Sequence, residues 1–375
     1  ELAKSGKTNF QLNESKLSGC ADYVIDVIKT NYPDLDIPFH SRWGHFSVGG
    51  INREELLEES LIGSDELEIA RTKIDLVITS VLLDAGAGSE WKYLESGKQY
   101  SRSEGLAVAS FHLFMDGAFS EEEIPIADAS GLQKFNKDKL IQGFQVSDKN
   151  PLLGVEGRVN LIQKLGEVIL ENSEMFPGGR PGGMVDYLIE KHGRNFEVSD
   201  ILDVVLRGLG PIWPSRLHAH GYSLGDTWHY SELGDLGVDS VISFHKLSQW
   251  MTYSLVAPME KAGLNISGAE KLTGLAEYRN GGLFLDYGVI ELRDSSLLAQ
   301  AHKPQSDLII EWRALTVQLL ERMGDLVREK LNLTAAEFPL AKVLEGGTWW
   351  AGRKIAKEKR DGTTPIKIDS DGTVF

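Results

Sequence analysis

Apolar side chains recur at three- and four-residue spacing along much of the chain, and this spacing places them on one face of an α-helix. The clearest case follows Asp65, where an apolar stripe predicts a long helix: Leu67, Ala70, Ile74, Val77, Ile78, Val81 and Leu82. Asp65 and Glu68 form a candidate capping box, and Gly86 is a candidate stop signal. The same spacing predicts helices over 161–172, 198–208, 244–262 and 309–331.

Strand patterns are few and short. One is predicted at GLFLDYGVI around Asp286, and another in the tail PIKIDSDGTVF, where Asp371 and Gly372 suggest a hairpin turn. The predicted fold class is therefore mainly α with minor β, in a single helical, enzyme-like unit over 1–375. The Gly- and Pro-rich segment FPGGRPGG at 176–183 fits neither helix nor strand, so lobes at 1–175 and 184–375 are an alternative.

Composition narrows the class of protein. The chain has 375 residues, 42% of them hydrophobic, which is enough for a sizeable core. Lysine and arginine total 39 against 55 acids, and the net charge of −16 disfavours polymeric nucleic acid and anionic membranes as partners. Cys20 is the single cysteine, no run approaches a membrane span, and no signal peptide is visible, so a cytoplasmic location is predicted.

Charged residues stand out within the apolar stretch TGLAEYRNGGLFLDYGV at 273–289. Asp286 is flanked by Leu285 and Tyr287, where burial would raise its pKa and the nearby Arg279 would lower it again. Such opposed tuning is typical of acid–base catalysis, with Glu277 as a second carboxylate. The alternative is a buried ion pair of Arg279 with Asp286 or Glu277.

Asp84 follows the long apolar helix and faces the negative end of its dipole, which should raise its pKa unless a cation compensates. It is a candidate general acid or an acceptor for sugar hydroxyls, and the alternative is a solvated turn aspartate. Just before the next predicted helix, Arg102 is a candidate clamp for carboxylate or phosphate with Glu104 beside it, or the two form a surface pair.

Three further groups are candidates for ligand binding. The loop SRWGHFSVGG supplies Arg42, Trp43 and His45, a mixture typical of small-ligand pockets, although a single histidine is more often structural. His245, Gln249 and Tyr253 are spaced four residues apart on one face of a predicted helix, either lining a polar pocket or forming an ordinary amphipathic face.

In LEGGTWWAGRKIAKEKR, a glycine pair is predicted to open a helix that carries Arg353 and Lys354 in its first turns. Backbone amides at a helix start together with a guanidinium suit phosphate, and the alternative is a basic surface helix. A different alternative arises in HAHGYSLGDTWH, where His218, His220 and His229, with Asp226, are candidate ligands of a catalytic zinc ion.

An ordered series of motifs resembles the uracil catabolism protein four family of fungi and bacteria: SRWGHFSVGGINR, VLLDAGAGSEWKYLE, SRSEGLAVASFHLFM, NPLLGVEGRVNLI, IWPSR, SLGDTWHY, SQWMTYSL, LTGLAEYRNGGLFLDYGVI and FPLAKVLEGGTWWAGRKIA. The resemblance runs from about residue 20 to the C-terminus. It implies a role in pyrimidine degradation, in which a ribosyl-urea species is cut to urea and a sugar. AEYRNGG is also similar to a segment of the queuosine-salvage nucleotide glycosylases, which are helical.

Together these features predict an N-ribosyl hydrolase for a ribosyl-urea, its phosphate or a related nucleotide. Asp286 is the predicted stabilising carboxylate or base, Glu277 or Asp84 is the second carboxylate, and Arg279 orients them. Stacking on the ligand is assigned to Trp43, Trp91 or Trp213, and phosphate binding to Arg353 with Lys354, or to Arg102. No cofactor is required. The alternatives are a metal-dependent amidohydrolase of a ureido compound and a non-catalytic partner of a pathway enzyme.

Overall fold

The computed structural model describes the chain except for residues 85, 89, 214–216, 236 and 370–375, and it leaves the side chains of residues 222 and 238 undescribed. The α-helices follow in chain order: α1 (Leu17–Asn31), α2 (Arg42–Phe46), α3 (Arg53–Ser60), α4 (Glu66–Leu82), α5 (Arg102–Met115), α6 (Ala129–Lys134), α7 (Lys137–Gly143), α8 (Val155–Glu171), α9 (Met184–His192), α10 (Val198–Gly208), α11 (Lys246–Lys261), α12 (Tyr278–Tyr287), α13 (Asp307–Leu331), α14 (Leu340–Val343) and α15 (Trp349–Arg360).

The strands are two or three residues long: β1 (Phe10–Leu12), β2 (Tyr93–Glu95), β3 (Lys98–Tyr100), β4 (Asn195–Glu197), β5 (His218–Ala219), β6 (Tyr222–Ser223), β7 (Thr227–His229), β8 (Val241–Ser243), β9 (Asn265–Ser267), β10 (Ile290–Leu292), β11 (Ala301–His302) and β12 (Lys367–Ile368). They join in pairs. β1–β10, β2–β3, β5–β6 and β7–β8 are antiparallel, whereas β4–β9 and β11–β12 are parallel. The predicted class, mainly α with minor β, is confirmed.

Hydrophobic spacing locates the longer helices well. The predicted helices after Asp65 and over 198–208 correspond to α4 and α10, and the Asp65 carboxylate caps α4 by accepting the Glu68 amide at 2.8 Å. Helix α13 begins two residues before the predicted start, and helix α11 is slightly shorter than the predicted helix over 244–262. α8 begins at Val155, earlier than predicted, while α4 ends at Leu82, before the predicted stop at Gly86.

The predicted strand around Asp286 is wrong, because Tyr278–Tyr287 forms helix α12. The error arises because a short apolar run rich in aromatic residues does not separate strand from buried helix by periodicity. Gly288 ends the helix in the left-handed conformation with φ of 79°, a C-terminal signal that the sequence does carry. In the tail, β12 pairs with β11, and the Asp371–Gly372 turn lies outside the described residues.

The described chain clusters into two compact units. The first comprises Glu1–His40, Ser215–Gln249 and Ala269–Phe375, and the second comprises Ser41–Pro214 and Trp250–Gly268. Helix α11 is therefore divided between them. The segment 176–183 lies within the second unit, where it forms short 3-10 turns at Pro177–Gly179 and Pro181–Gly183. The predictions of one continuous unit and of two lobes stay predictions.

In the second unit, α4 is buried along most of its length and packs against α5, α8 and α9. Asp75 on α4 is fully buried and accepts the Gly182 amide at 2.6 Å and two N–H groups of Arg180. A Cβ at Gly182 would collide with the Arg71 carbonyl oxygen, so glycine is required there. The buried aspartate thereby fixes the Gly- and Pro-rich segment against α4.

In the first unit, α12 packs against α13 and α15. Gly352 of α15 lies so close to the Arg279 carbonyl oxygen of α12 that a Cβ would collide with it. At the other end of α12, Asp286 pairs with Arg360 of α15. Because the early residues of both helices meet and the late residues of both helices meet, α12 and α15 run parallel.

No helix in the described part of the chain is long and apolar enough to cross a membrane.

Candidate functional site

Glu277 occupies the N-cap position of α12. Its Oε1 accepts the Asn280 backbone N–H at 2.9 Å, which satisfies one of the amides that a helix start leaves without an intrahelical partner. The side chain is partly exposed, and no cation among the described residues forms a salt bridge with it. Glu277 is therefore a positioned carboxylate that, among the described residues, is stabilised by a backbone amide and the helix dipole rather than by a salt bridge.

The backbone before Glu277 is held by a buried ion pair. Arg313 of α13 donates from Nε to the Ala276 carbonyl oxygen at 3.3 Å, and both of its terminal nitrogens lie 2.7 Å from the oxygens of Asp226. Trp228 donates its indole N–H to the same carboxylate at 2.7 Å. The Arg313 guanidinium also lies 4.1 Å from the centre of the Phe244 ring. This arrangement restrains the peptide that leads into Glu277.

Asp226 of this ion pair and the nearby His245 both have shifted pKa values. Burial alone would raise the pKa of Asp226, but the charge and hydrogen bonds of Arg313 outweigh burial, so the pKa is lowered and the carboxylate stays ionised. Burial lowers the pKa of His245, and Asp226 opposes this shift only partly. His245 is therefore neutral near pH 7, and a neutral imidazole both donates and accepts hydrogen bonds.

Gln249 ties helix α11 to the segment that precedes Glu277. Its Oε1 accepts the backbone N–H of Thr273 at 3.1 Å and the Thr273 hydroxyl at 3.0 Å, while its Nε2 donates to the Phe244 carbonyl at 3.1 Å. Phe244 and Ala276 pack in one apolar cluster with Trp228, Tyr230 and Ile310. The structure thus brings the predicted residues His245, Gln249 and Glu277 into one region of the first unit.

An open cleft of about 670 Å³ borders the same cluster. Its lining includes Trp228, whose indole contacts Asp226, together with His229 and Lys303. This volume lies within the range typical of small-molecule sites. A second cleft of about 620 Å³ lies in the other unit, beside Glu260 and the β4–β9 pair.

Asp286, the predicted catalytic carboxylate, lies in the last turn of α12 and is buried. Both of its oxygens accept from the Arg360 guanidinium, one of them at 2.5 Å, and Lys359 donates to its backbone carbonyl. Arg279 does not pair with it; its Nη1 donates to the Gly362 carbonyl at 3.0 Å, and its guanidinium lies over the Tyr278 ring. The geometry favours the ion-pair interpretation, with Arg360 rather than Arg279 as the partner.

Asp84, in the second unit, has the compensating cation that its place after α4 requires. Arg42 is fully buried and lies 2.8 Å from the Asp84 carboxylate. It also donates from Nε to the Ser80 hydroxyl at 2.8 Å and to the backbone carbonyls of Ser80 and Ser103. A second guanidinium, Arg158, interacts with Asp84, and burial lowers the pKa of Arg158 to about 10. Arg42 and Asp84 therefore form part of a buried charge network.

The aromatic candidates of the second unit are also held by protein contacts. Trp43 donates its indole N–H to the Ser254 carbonyl at 2.8 Å, with Lys73 over its ring. Trp91 is fully buried and donates to the Phe144 carbonyl at 2.9 Å. His45 packs edge-on against Trp250, and Tyr253 is fully buried. Stacking by Trp43 or Trp91 on a ligand stays a prediction that these contacts do not favour.

The remaining candidates of the second unit are less enclosed. Arg102 is exposed, has a positive φ of 55°, and forms no salt bridge with a described residue. Glu104 is partly buried in the first turn of α5. Trp213 is partly buried and follows a 3-10 turn at Gly210–Ile212.

The predicted helix start at Gly346 and Gly347 is wrong. These glycines lie in a π-helical turn, Leu344–Thr348, that joins α14 to α15 with helical backbone angles on both sides. The backbone is helical before the turn as well as after it, so the first amides of α15 lie inside a continuous helical run. The predicted amide cradle for phosphate is therefore not formed. The Arg353 guanidinium lies 5.3 Å and 5.5 Å from the ring centres of Trp349 and Trp350. Lys354 is exposed and lies over the ring of Tyr23.

The candidate zinc ligands do not come together. His218 and His220 are exposed around the β5–β6 turn, whereas His229 of β7 bonds to the Gly234 carbonyl at 3.2 Å. Asp226 is paired with Arg313. Within the described residues, no group of three His, Cys, Asp or Glu side chains is arranged to hold a metal ion.

The sequence gives no indication of a further pair of residues in the first unit. His40 and Glu345 form a hydrogen bond of 2.7 Å between Nδ1 and Oε2, although they lie at opposite ends of the chain. The sequence also gives no indication of the role of Arg313, because the helix that carries it, α13, is an ordinary amphipathic helix. The local sequence at these positions carries no signal for the contacts, since each partner is brought in by tertiary packing.

A sequence model of the family described as "Protein of unknown function (DUF1688)" matches residues 1–375. The chain is 40% identical over 407 aligned residues to "Uracil catabolism protein 4" of Lachancea kluyveri, an alignment that covers 98% of this chain and 92% of that protein. The chain belongs to the DUF1688 family.

A second relative, "Protein urg3" of Schizosaccharomyces pombe, is 41% identical over 379 residues, again covering 98% of this chain and 92% of the relative. The resemblance to the uracil catabolism protein four family that the motifs predict is thus confirmed over nearly the whole chain. The printed name of the first relative associates that protein with uracil catabolism.

Proposed function

We propose that this DUF1688 protein acts in uracil catabolism as an N-ribosyl hydrolase that splits a ribosyl-urea, or its 5-phosphate, into urea and the sugar. The observation that carries the proposal is the state of Glu277: a positioned, partly exposed carboxylate with no salt bridge to a described residue. The name of the relative from Lachancea kluyveri supports the pathway. The likeness of AEYRNGG to nucleotide glycosylases supports the reaction class.

The chemistry needs such a group. As the bond between the sugar C1 and nitrogen breaks, positive charge develops on C1 and on the ring oxygen, and a nearby carboxylate stabilises that charge. The same carboxylate accepts a proton from the attacking water. In the proposed reaction Glu277 performs both tasks, because Oε1 stays bonded to the Asn280 amide while Oε2 faces the sugar.

The surrounding contacts suit this role. The partial positive charge at the helix N-terminus interacts favourably with the negative charge of Glu277, and a negative charge is what a cationic sugar requires. The hydrogen bond from Arg313 to the Ala276 carbonyl and that from Thr273 to Gln249 restrain the backbone on the N-terminal side of Glu277. A catalytic carboxylate must hold its position within a fraction of an ångström, and a restrained backbone provides that precision.

Glu277 replaces Asp286 as our first assignment. Asp286 is buried, and the guanidinium of Arg360 engages both of its oxygens. A carboxylate in that state would have to give up its partner before it could stabilise a substrate, at a cost of several kcal/mol. Asp84 is in a similar position, since the buried Arg42 pairs with it.

The test uses purified protein with N-ribosylurea and its 5-phosphate, and follows urea in a urease-coupled assay and sugar as reducing ends. Glu277→Gln keeps the volume and the acceptor for the Asn280 amide but removes the charge. We expect its kcat to fall by about 10²–10⁴-fold, the usual contribution of a positioned catalytic group of this kind.

Glu321→Gln is the matched control. Glu321 belongs to the same unit and accepts a backbone N–H from Gly274 at 3.0 Å, so it resembles Glu277 in its hydrogen bonding. Its kcat should stay within about threefold of the wild type. Full activity of Glu277→Gln would refute the assignment of Glu277, and absence of urea release by the wild type from either substrate would refute the proposed function.

A further inference from the structure

The pair of His40 and Glu345 has the geometry of an acid–base group with its orienting partner. Nδ1 of His40 lies 2.7 Å from Oε2 of Glu345, and the other carboxylate oxygen lies 3.5 Å from the Tyr32 hydroxyl. His40 is 6% exposed, so the interaction is sheltered from water. Burial raises the pKa of Tyr32 to about 12, so its hydroxyl keeps its proton and can donate to Glu345.

The pair is not needed to attach the His40 segment. The His40 backbone N–H already donates to the Ala341 carbonyl at 3.2 Å, which tethers the segment to α14. A carboxylate at Nδ1 fixes the tautomer and the orientation of the imidazole ring. Nε2 is then the ring atom that transfers a proton.

Glu345 stands on the π-helical turn Leu344–Thr348. Such single turns interrupt an otherwise regular helix and occur often at functional sites. The Thr348 hydroxyl and the Trp350 indole N–H are buried beside this turn and have no hydrogen-bond partner among the described residues. Buried polar atoms without partners are rare in folded proteins, and a bound polar ligand is one way to satisfy them.

The register of α12 and α15 places this turn and Glu277 at the same end of the helix pair. The two helices are parallel, with Gly352 against the Arg279 carbonyl and Arg360 against Asp286. Continuing this register toward the N-termini brings Glu277 level with Trp349 and Trp350. The centre of the His40 ring lies 5.8 Å from the centre of the Trp349 ring. His40, Glu345 and Glu277 thus lie at the same end of the helix pair.

We propose that His40 is the catalytic residue that protonates the departing urea nitrogen, and that Glu345 is its positioning residue. This inference rests on the proposed function. The sugar C1–N bond breaks, its electron pair goes to the urea nitrogen, and the proton on His40 Nε2 moves to that nitrogen. Water forms the new C1–O bond and gives a proton to Glu277. That proton returns to His40 through solvent, so the net reaction consumes one water.

A leaving-group comparison tests this role. Urea is a poor leaving group unless it is protonated, whereas 4-nitrophenolate leaves without assistance. His40→Gln should lose about 10²–10⁴-fold in kcat on N-ribosylurea 5-phosphate and less than about fivefold on 4-nitrophenyl riboside 5-phosphate. Glu277→Gln should lose activity on both substrates. Glu345→Gln should show the same selective loss as His40→Gln, reduced to about tenfold.

His112→Gln is the matched control, because His112 also forms a hydrogen bond of 2.5 Å with a glutamate, Glu95, but in the other unit. It should act on both substrates like the wild type. Equal losses of His40→Gln on the two substrates, or no loss on either, would overturn the inference while leaving the result for Glu277 intact. If His40→Gln does not fold, the test uses Glu345→Gln and compares its losses in kcat on the same two substrates. A wild type inactive on both substrates would instead refute the proposed function.

Discussion

Helix α12 carries a carboxylate at each end, and the two carboxylates have very different contacts. Glu277 caps the first turn, bonds one backbone amide and forms no salt bridge with a described residue. Asp286 in the last turn is buried and bound through both oxygens to Arg360. The two residues share one helix, but Asp286 is buried whereas Glu277 is partly exposed, and their charges lie at opposite ends of the helix.

The helix dipole contributes to the difference in how the two carboxylates are stabilised. A negative charge is stabilised at a helix N-terminus and destabilised at the C-terminus, by up to about 1 kcal/mol each. Asp286 stands at the unfavourable end and therefore needs a cation, which Arg360 supplies. Glu277 stands at the favourable end and needs none, so one of its oxygens is available to a ligand. A buried acid in an apolar run is thus a weaker indication of catalysis than an acid that the fold stabilises without a counter-ion.

A large effect on stability is expected at Asp286. Asp286→Asn leaves Arg360 beside a neutral amide, and the free energy of unfolding should fall by about 2–3 kcal/mol, since Arg360 is partly exposed and the pair is incompletely desolvated. Denaturant unfolding measures this loss, and kcat per folded molecule should change little.

The double variant Asp286→Leu with Arg360→Met provides the control for this effect. Replacing both partners with apolar residues should recover much of the lost stability, because no charge stays buried alone. A collapse of kcat in folded Asp286→Asn, with stability unchanged, would reverse the roles that we assign to the two ends of α12.

An effect on stability that depends on pH is expected at Asp226, whose pKa is lowered in the folded protein. A lowered pKa means that the stabilisation is present above the unfolded-state value of about 3.9 and is lost as pH falls through the folded-state value. The difference in unfolding free energy between wild type and Asp226→Asn should therefore be constant from pH 5 to 7 and narrow below about pH 4. Urea titrations at each pH test this, and a difference that widens on acidification would contradict it.

The smallest effect on stability is expected at Glu277. Glu277→Gln keeps an acceptor for the Asn280 amide, and only the interaction of its charge with the helix dipole is lost, so the free energy of unfolding should fall by less than about 1 kcal/mol. A large fall in kcat with this small change in stability is the combination that separates a functional from a structural carboxylate. A loss above about 3 kcal/mol would instead identify Glu277 as a structural cap.

Local signals were sufficient for the regular helices. The apolar stripe of α4 and the Asp65 cap, together with the boundaries of α10, follow from spacing and capping chemistry alone. The same signals failed at α12, because the run GLFLD has no helical period that distinguishes it from a strand. Gly288 is a stop signal for that helix, but glutamate is not among the residues that favour an N-cap, so Glu277 carries no start signal.

The candidate site could be predicted only in part. Residue type alone identified Glu277, His245 and Gln249 as candidates. In the structure, Gln249 of α11 contacts Thr273, in the segment that precedes Glu277. The pairing of each acid with its cation could not be predicted, since Arg360, Arg313 and Arg42 are distant in sequence from their partners. The contact between His40 and Glu345 spans most of the chain and has no local signature.

The close approach of α12 and α15 at Gly352 has a consequence for the width of the reaction site. A hydrogen atom is all that fits between this position and the Arg279 carbonyl, so the separation of the two helix axes is set by backbone against backbone. Glu277 begins one of these helices, and the turn that carries Glu345 leads into the other. In the proposed reaction, the gap that the sugar bridges between Glu277 and His40 depends on this separation, and a methyl group at position 352 would widen it without touching either side chain.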